Sequence, residues 1–288
     1  MTMPPAESPV LDALLPPAMA AKAADIGVAK ASMSTVRMFS LAVLAGAFIA
    51  LGAMFATVAT AGAAGDLPFG VTRIIAGLVF CLGLILVVVG GAELFTGNNL
   101  ISIAWAERRV SLAAVLRNWG IVYAGNLVGA VATAALVYAA RQYEFGTGAV
   151  GLNALTIANS KDGLAFGQAI VLGMLCNALV CLAIWMTLSA RSVTDKILAI
   201  IFPITAFVAA GFEHSIANMY FLPVAIFIRD GAPDSFWATI GKRPADFPDV
   251  GWHDAIVANI VPVTIGNIIG GSLMVGLAYW LIYVRTER

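Results

Sequence analysis

Charge is scarce in this chain. Of its 288 residues only 11% are charged, 61% are hydrophobic, and mean hydropathy reaches +0.93. A soluble domain of that make-up has too little polar surface to cover itself, so the scarcity leaves an integral membrane protein. Neither sign dominates: 16 basic residues balance 16 acidic ones, and nothing global points to nucleic acid as a partner. Cysteine is nearly absent, and Cys81, Cys176 and Cys181 all lie in apolar runs, where they read as buried packing thiols and not as a disulfide or metal framework. Only two histidines occur, His214 and His253, and the second stands beside Asp254 in a loop. Neither H-E-x-x-H nor G-x-S-x-G is present, so an intramembrane enzyme would lack a metal set or a nucleophile. No catalytic residue, metal or cofactor is expected. The opening "MTMPPAESPVLDALLPPAMAAKAADIGVAK" lacks a signal peptide's short apolar core and is expected to stay in the mature protein.

What is present is long apolar runs. A membrane-crossing helix needs roughly 20 apolar residues, and residues 38–65, 74–92, 118–140, 163–190 and 255–284 qualify. Two regions are irregular. Glu93 follows the second run and is succeeded by an uncharged piece, 94–106, too short to cross alone. Between Lys196 and Arg229 lies a stretch long enough to cross, interrupted near its middle by Glu213. The reading is an all-α integral membrane protein of six spans, the second and fifth interrupted. Residues 1–37 form a cytoplasmic N-terminal segment, helical from 14 to 31, and residues 38–288 form the transmembrane domain. With both termini inside, ten of the 16 Lys and Arg residues fall on the cytoplasmic side and six outside, the sense of the positive-inside rule.

An internal repeat supports this. "GAELFTGN" from Gly91 and "GFEHSIAN" from Gly211 both fit G-x-E-x-x-x-x-N, pairing Glu93 with Glu213 and Asn98 with Asn218. "GNLVGA" from Gly125 matches "GNIIGG" from Gly266, pairing Asn126 with Asn267. Three spans per half is an odd number, so the halves insert in opposite senses, a recurrent transporter and channel design with its site at the repeat interface. Non-helical backbone at membrane depth is tolerated only when packed in protein or lining a wet cavity, and an ionisable side chain there is costly. Glu93 and Glu213 are therefore expected to accept hydrogen bonds from amides freed at the breaks. His214 reads either as a packed, hydrogen-bonded histidine or as a neutral imidazole facing a pore, able to exchange a proton near neutral pH. The paired glycines read as sites of close helix packing.

"GAELFTGN", "CNALVCLAIWM", "GFEHSIANM" and "VPVTIGNIIGG" resemble the formate/nitrite transporter family, most closely its bacterial formate channels, over nearly the whole chain. "FLPVAIFIRDGAPDSFW" also resembles the formate branch, whereas "FTGNN" after Phe95 is similar to the nitrite branch. The resemblance implies an aquaporin-like subunit in the inner membrane, assembled as a homopentamer with one pore per subunit and surrounded by lipid. It implies small anions, formate foremost and nitrite as the alternative, as the substrate. It places the central histidine at His214, hydrogen-bonded to Thr96, with Lys161 and Asn177 at the start of the fourth span. Phe80, Leu84 and Phe207 are its apolar constrictions, and Asn267 faces the pore. Lys161 would raise the local anion concentration, and Thr96 and Asn177 would replace hydration without holding the ion too tightly. An aquaporin-like neutral-solute pore is the remaining alternative, but the chain has no Asn-Pro-Ala box.

Overall fold

The computed structural model describes residues 13–63 and 65–285, and all regular structure among them is helical. Five helices are long and apolar enough to cross a membrane: α2 (Thr35–Ala59), α3 (Phe69–Gly90), α6 (Leu112–Ala139), α8 (Phe166–Ser189) and α12 (Trp252–Arg285). Each overlaps one of the five apolar runs. The shorter elements are α1 (Pro16–Ala31), α4 (Phe95–Asn98), α5 (Ile101–Ala106), α7 (Ala149–Asp162), α9 (Val193–Ala209), α10 (Ser215–Gly231) and α11 (Asp234–Ile240).

Local chemistry fixes several starts. Ser111 Oγ accepts from the Ala114 N–H at 3.2 Å and opens α6. Ser192 and Asp195 form a reciprocal capping box at α9. The two expected interruptions are both present and have the same form. α3 stops at Gly91 and α9 is followed by Gly211, each with φ of +76°, a left-handed turn that glycine enters without penalty. An extended step follows, ending at Leu94 (φ −107°, ψ 125°) in one case and His214 (φ −115°, ψ 112°) in the other, before α4 and α10 begin.

Packing repeats the same duplication. α2 lies against α6 and α3, α8 against α12 and α9, and α3 crosses α9. A Cβ on Gly46 or Gly129 would overlap the α6 or α2 backbone, and one on Gly266 or Gly270 would overlap α8 at Ile170 or Met174. The glycines of "GNLVGA" and "GNIIGG" thus serve the close packing read from the sequence. α1 is docked on α5 and α8: it buries Met19, Ala20, Ala23 and Ala24, Lys22 Nζ donates to Leu188 O at 2.7 Å, and Asp25 pairs with Arg109 at 2.7 Å.

Candidate functional site

Two matching polar clusters hold the breaks. In the first, Lys30 Nζ donates to Glu93 Oε1 (2.7 Å) and Asn98 Oδ1 (2.9 Å), while Asn98 Nδ2 donates to Glu93 Oε2 (2.7 Å) and Asn118 Oδ1 (3.0 Å). In the second, Lys161 Nζ donates to Glu213 Oε1 (2.8 Å), and Asn218 Nδ2 donates to Glu213 Oε2 (2.7 Å) and Asn259 Oδ1 (2.6 Å). Asn118 returns a bond to Lys30 O, and Asn259 to Lys161 O. Both glutamates accept from lysine and asparagine side chains, not from the freed backbone amides that were expected.

The freed backbone is answered by the other asparagine pair. Phe95 N–H donates to Asn126 Oδ1 and Ser215 N–H to Asn267 Oδ1, both at 2.9 Å. Asn126 Nδ2 donates to Ala42 O (2.7 Å) and Glu93 O (2.9 Å), and Asn267 Nδ2 to Gly173 O (2.8 Å) and Glu213 O (3.0 Å). Each Asn closes the gap left where helical hydrogen bonding stops, which satisfies groups that would otherwise be orphaned. This differs from the expectation that Asn267 faces the pore: its amide is buried and engaged at both ends. Asn177 is likewise engaged, its Nδ2 donating to Thr96 O, Asn99 Oδ1 and Asn267 O. It ties the two breaks together and presents no idle donor.

His214 stands at the N-cap of α10, where its Nδ1 accepts from the Ala217 N–H at 3.1 Å. An accepting Nδ1 carries no proton, so the neutral ring carries its hydrogen on Nε2. That hydrogen points at Thr96 Oγ1, 3.0 Å away. The pair expected from the resemblance is thus in contact, one member from each half of the chain. The imidazole also stacks on Phe207 (centroids 5.9 Å apart, 24° between planes), and Phe207 meets Phe80 edge-on at 5.6 Å.

A cavity of about 820 Å³ opens beside these groups, with Phe80, Phe207 and His214 in its lining together with Lys161, Glu213 and Arg73. The two phenylalanines and the histidine are each only 3% exposed. Leu84 is buried one turn further along α3 and does not reach this cavity. Lys161 lies in the wall, but its charge is matched by Glu213, and its ammonium sits 5.5 Å from the Phe221 ring centre.

Lys30, Asn118, Asn259 and Arg73 belong to these clusters or to the cavity and were not singled out by the sequence motifs. A signal for the two asparagines was available: "NWGIVYAGN" and "NIVPVTIGN" share N-x-x-x-x-x-x-G-N, about two helical turns longer than the "GN" match used above. Lys30 and Lys161 each occupy the last turn of the helix preceding a long apolar one, α1 and α7. Arg73, inside the apolar helix α3, has no counterpart motif.

Helices long and apolar enough to cross a membrane, two broken elements in contact through a polar pair, and a cavity lined by one of its members define a membrane transport protein. Residues 17–281 match the sequence profile of the formate/nitrite transporter family. The chain is 46% identical over 274 residues to the formate channel FocA of Escherichia coli K12, covering 95% of this chain and 96% of that one. It is 40% identical over 248 residues to FocA of Haemophilus influenzae, covering 86% and 87%. Its fold matches a pentameric formate channel with formate bound at a TM-score of 0.83 and 48% identity, over 87% of this chain and 98% of that one. An FNT family ion channel matches at 0.75 and 27% identity, over 92% and 98%. This chain belongs to the formate/nitrite transporter family.

Proposed function

We propose that this protein is a homopentameric channel for formate in a bacterial inner membrane, each subunit carrying its own pore. In this reading α3–α5 and α9–α10 are the interrupted second and fifth spans of an inverted three-plus-three repeat with an aquaporin-like subunit. Both termini are cytoplasmic, and the cavity faces outward. Exposed apolar side chains such as Val36, Phe69, Leu136 and Phe202 would contact lipid or neighbouring subunits.

The observation that carries the reading is the His214–Thr96 pair, with His214 in the wall of a cavity that Phe80 and Phe207 also line. A small monocarboxylate loses most of its water at Phe80 and Phe207, which is costly unless donors replace it. Neutral Nε2–H and the Thr96 hydroxyl supply such donors without a fixed charge to trap the ion. A proton can leave Nε2 for formate only from the imidazolium, which forms if Nδ1 releases the Ala217 N–H and takes up a proton. Transfer from Nε2 then leaves a neutral ring protonated on Nδ1, and the neutral acid passes the apolar ring more cheaply than the anion. Leu84 would form the next apolar ring along the path.

Uptake of labelled formate into proteoliposomes tests the reading, with nitrite and lactate as competitors. Formate flux that formate itself saturates and lactate barely inhibits is the expected outcome. Preferential displacement by nitrite would move the substrate to nitrite, and flux no greater than in empty liposomes would overturn the channel. Mass photometry of the detergent-solubilised protein should give five times the 29.9 kDa chain mass.

A further inference from the structure

Resting on the channel reading above, we infer that Arg73 is the residue that collects the small anion in the cavity, ahead of His214. Three charged side chains line this cavity among the described residues: Arg73, Lys161 and Glu213. The last two form an ion pair at 2.8 Å, with side chains only 17% and 5% exposed, so together they present little net charge. Arg73 forms no ion pair among the described residues. The excess positive charge of the cavity wall is therefore its guanidinium.

Where that group sits strengthens the case. Arg73 Nε donates to Ala209 O at 3.2 Å, and Nη2 donates to Val208 O. Both carbonyls belong to the last turn of α9, which ends at the cavity beside Gly211. A helix C-terminus carries roughly half a negative charge, and left uncovered it would repel an entering anion. Arg73 covers it and leaves about half a positive charge over. A guanidinium has five N–H groups, two of which α9 engages, so donors remain for a carboxylate. Arginine suits this post because its charge is permanent and its fork matches a carboxylate's two oxygens.

The test compares Arg73→Gln, which keeps amide donors for α9 but no charge, with Arg73→Lys, which keeps the charge. Formate uptake is measured against concentration in right-side-out and inverted membrane vesicles, at low salt and at about 1 M salt, where the Debye length is near 3 Å. Arg73→Gln should raise the half-saturating formate concentration roughly threefold or more at low salt, in the one orientation that exposes the cavity, and the difference should vanish at high salt. Arg73→Lys should stay near wild type. Thr72, also in the cavity lining, gives a second variant if Arg73→Gln fails to assemble: Thr72→Asp sets a carboxylate beside the guanidinium and should shift half-saturation the same way. An Arg73→Gln or Thr72→Asp channel with wild-type half-saturation and salt dependence would overturn the inference. Absence of formate flux in the wild-type vesicles would instead overturn the channel reading on which it rests.

Discussion

At His214 the ring nitrogens have separate tasks. Nδ1 caps α10 by accepting the Ala217 N–H, and Nε2 alone addresses Thr96. Asparagine is a strong N-cap residue, so His214→Asn should keep α10 and the assembly while removing the imidazole. Formate flux should fall roughly tenfold or more, the size of effect expected from losing one buried hydrogen-bond donor, and any enhancement of flux on lowering pH should disappear. Flux measured against pH in liposomes decides it, and wild-type flux with wild-type pH dependence would reduce His214 to a packing residue. Thr96→Val removes the acceptor and leaves Nε2–H buried without a partner, whereas Thr96→Ser restores one. The valine variant should lose flux and thermal stability together, and the serine variant should recover most of both.

At the scale of elements, the breaks depend on asparagines whose work is to replace missing helical bonds. Asn126→Ala orphans the Phe95 N–H, and Asn267→Ala orphans the Ser215 N–H. Each should cost about 1–3 kcal/mol of stability, readable as a lowered Tm in detergent, with comparable losses because the two sets of partners match. The end of α7 makes a different prediction. Asp162 closes α7, is 5% exposed, and has both carboxylate oxygens without a hydrogen-bond partner. Burial, reinforced by Asp254, raises its pKa from 3.8 to about 8. The unfolded chain releases this proton near pH 4 and the folded protein keeps it to about pH 8, so the folded state loses ground as pH rises across that window. Asp162→Asn should match the wild type in Tm near pH 4 and exceed it by a margin that grows up to about pH 8. A constant difference at every pH would exclude the titration. Much of this was legible in the sequence. Glu93 with Asn98 and Glu213 with Asn218 are close neighbours in the chain, so their spacing exposes the duplicated break directly. Lys30, Asn118 and Asn259 complete the same clusters from other helices, and local spacing does not reveal which distant amide answers which carboxylate. Arg73 was hidden for a different reason: it ends the charge-free run that marked the second span at 74, yet α3 begins at Phe69 and carries the arginine within it. Hydropathy also passes over α7 and α11, which are too short and too polar to register as spans.

At the scale of the whole molecule, two halves with matching breaks, matching Lys–Glu–Asn clusters and matching glycine contacts meet at the Thr96–His214 bond and at Asn177, which bonds Thr96 and Asn99 from the other half. Such a duplication places the two clusters on opposite faces of the membrane only if the halves insert in opposite senses. In the proposed orientation, taken from the positive-inside bias, the segment around Ser192–Lys196 would lie in the cytoplasm and the loop around Lys242 outside. The native cysteines favour a direct test, since Cys81, Cys176 and Cys181 are all buried and leave a silent background. Thr194 and Lys242 are both suited to replacement, Thr194 being exposed near the start of α9 and Lys242 exposed just beyond α11. A membrane-impermeant maleimide should label Lys242→Cys in intact cells and label Thr194→Cys only after the membrane is opened. Labelling of Thr194→Cys in intact cells, with Lys242→Cys protected, would invert the molecule and set the cavity and Arg73 on the cytoplasmic side. Labelling of both in intact cells would break the opposed insertion of the halves, because in the proposed topology these positions lie on either side of the fifth, interrupted span.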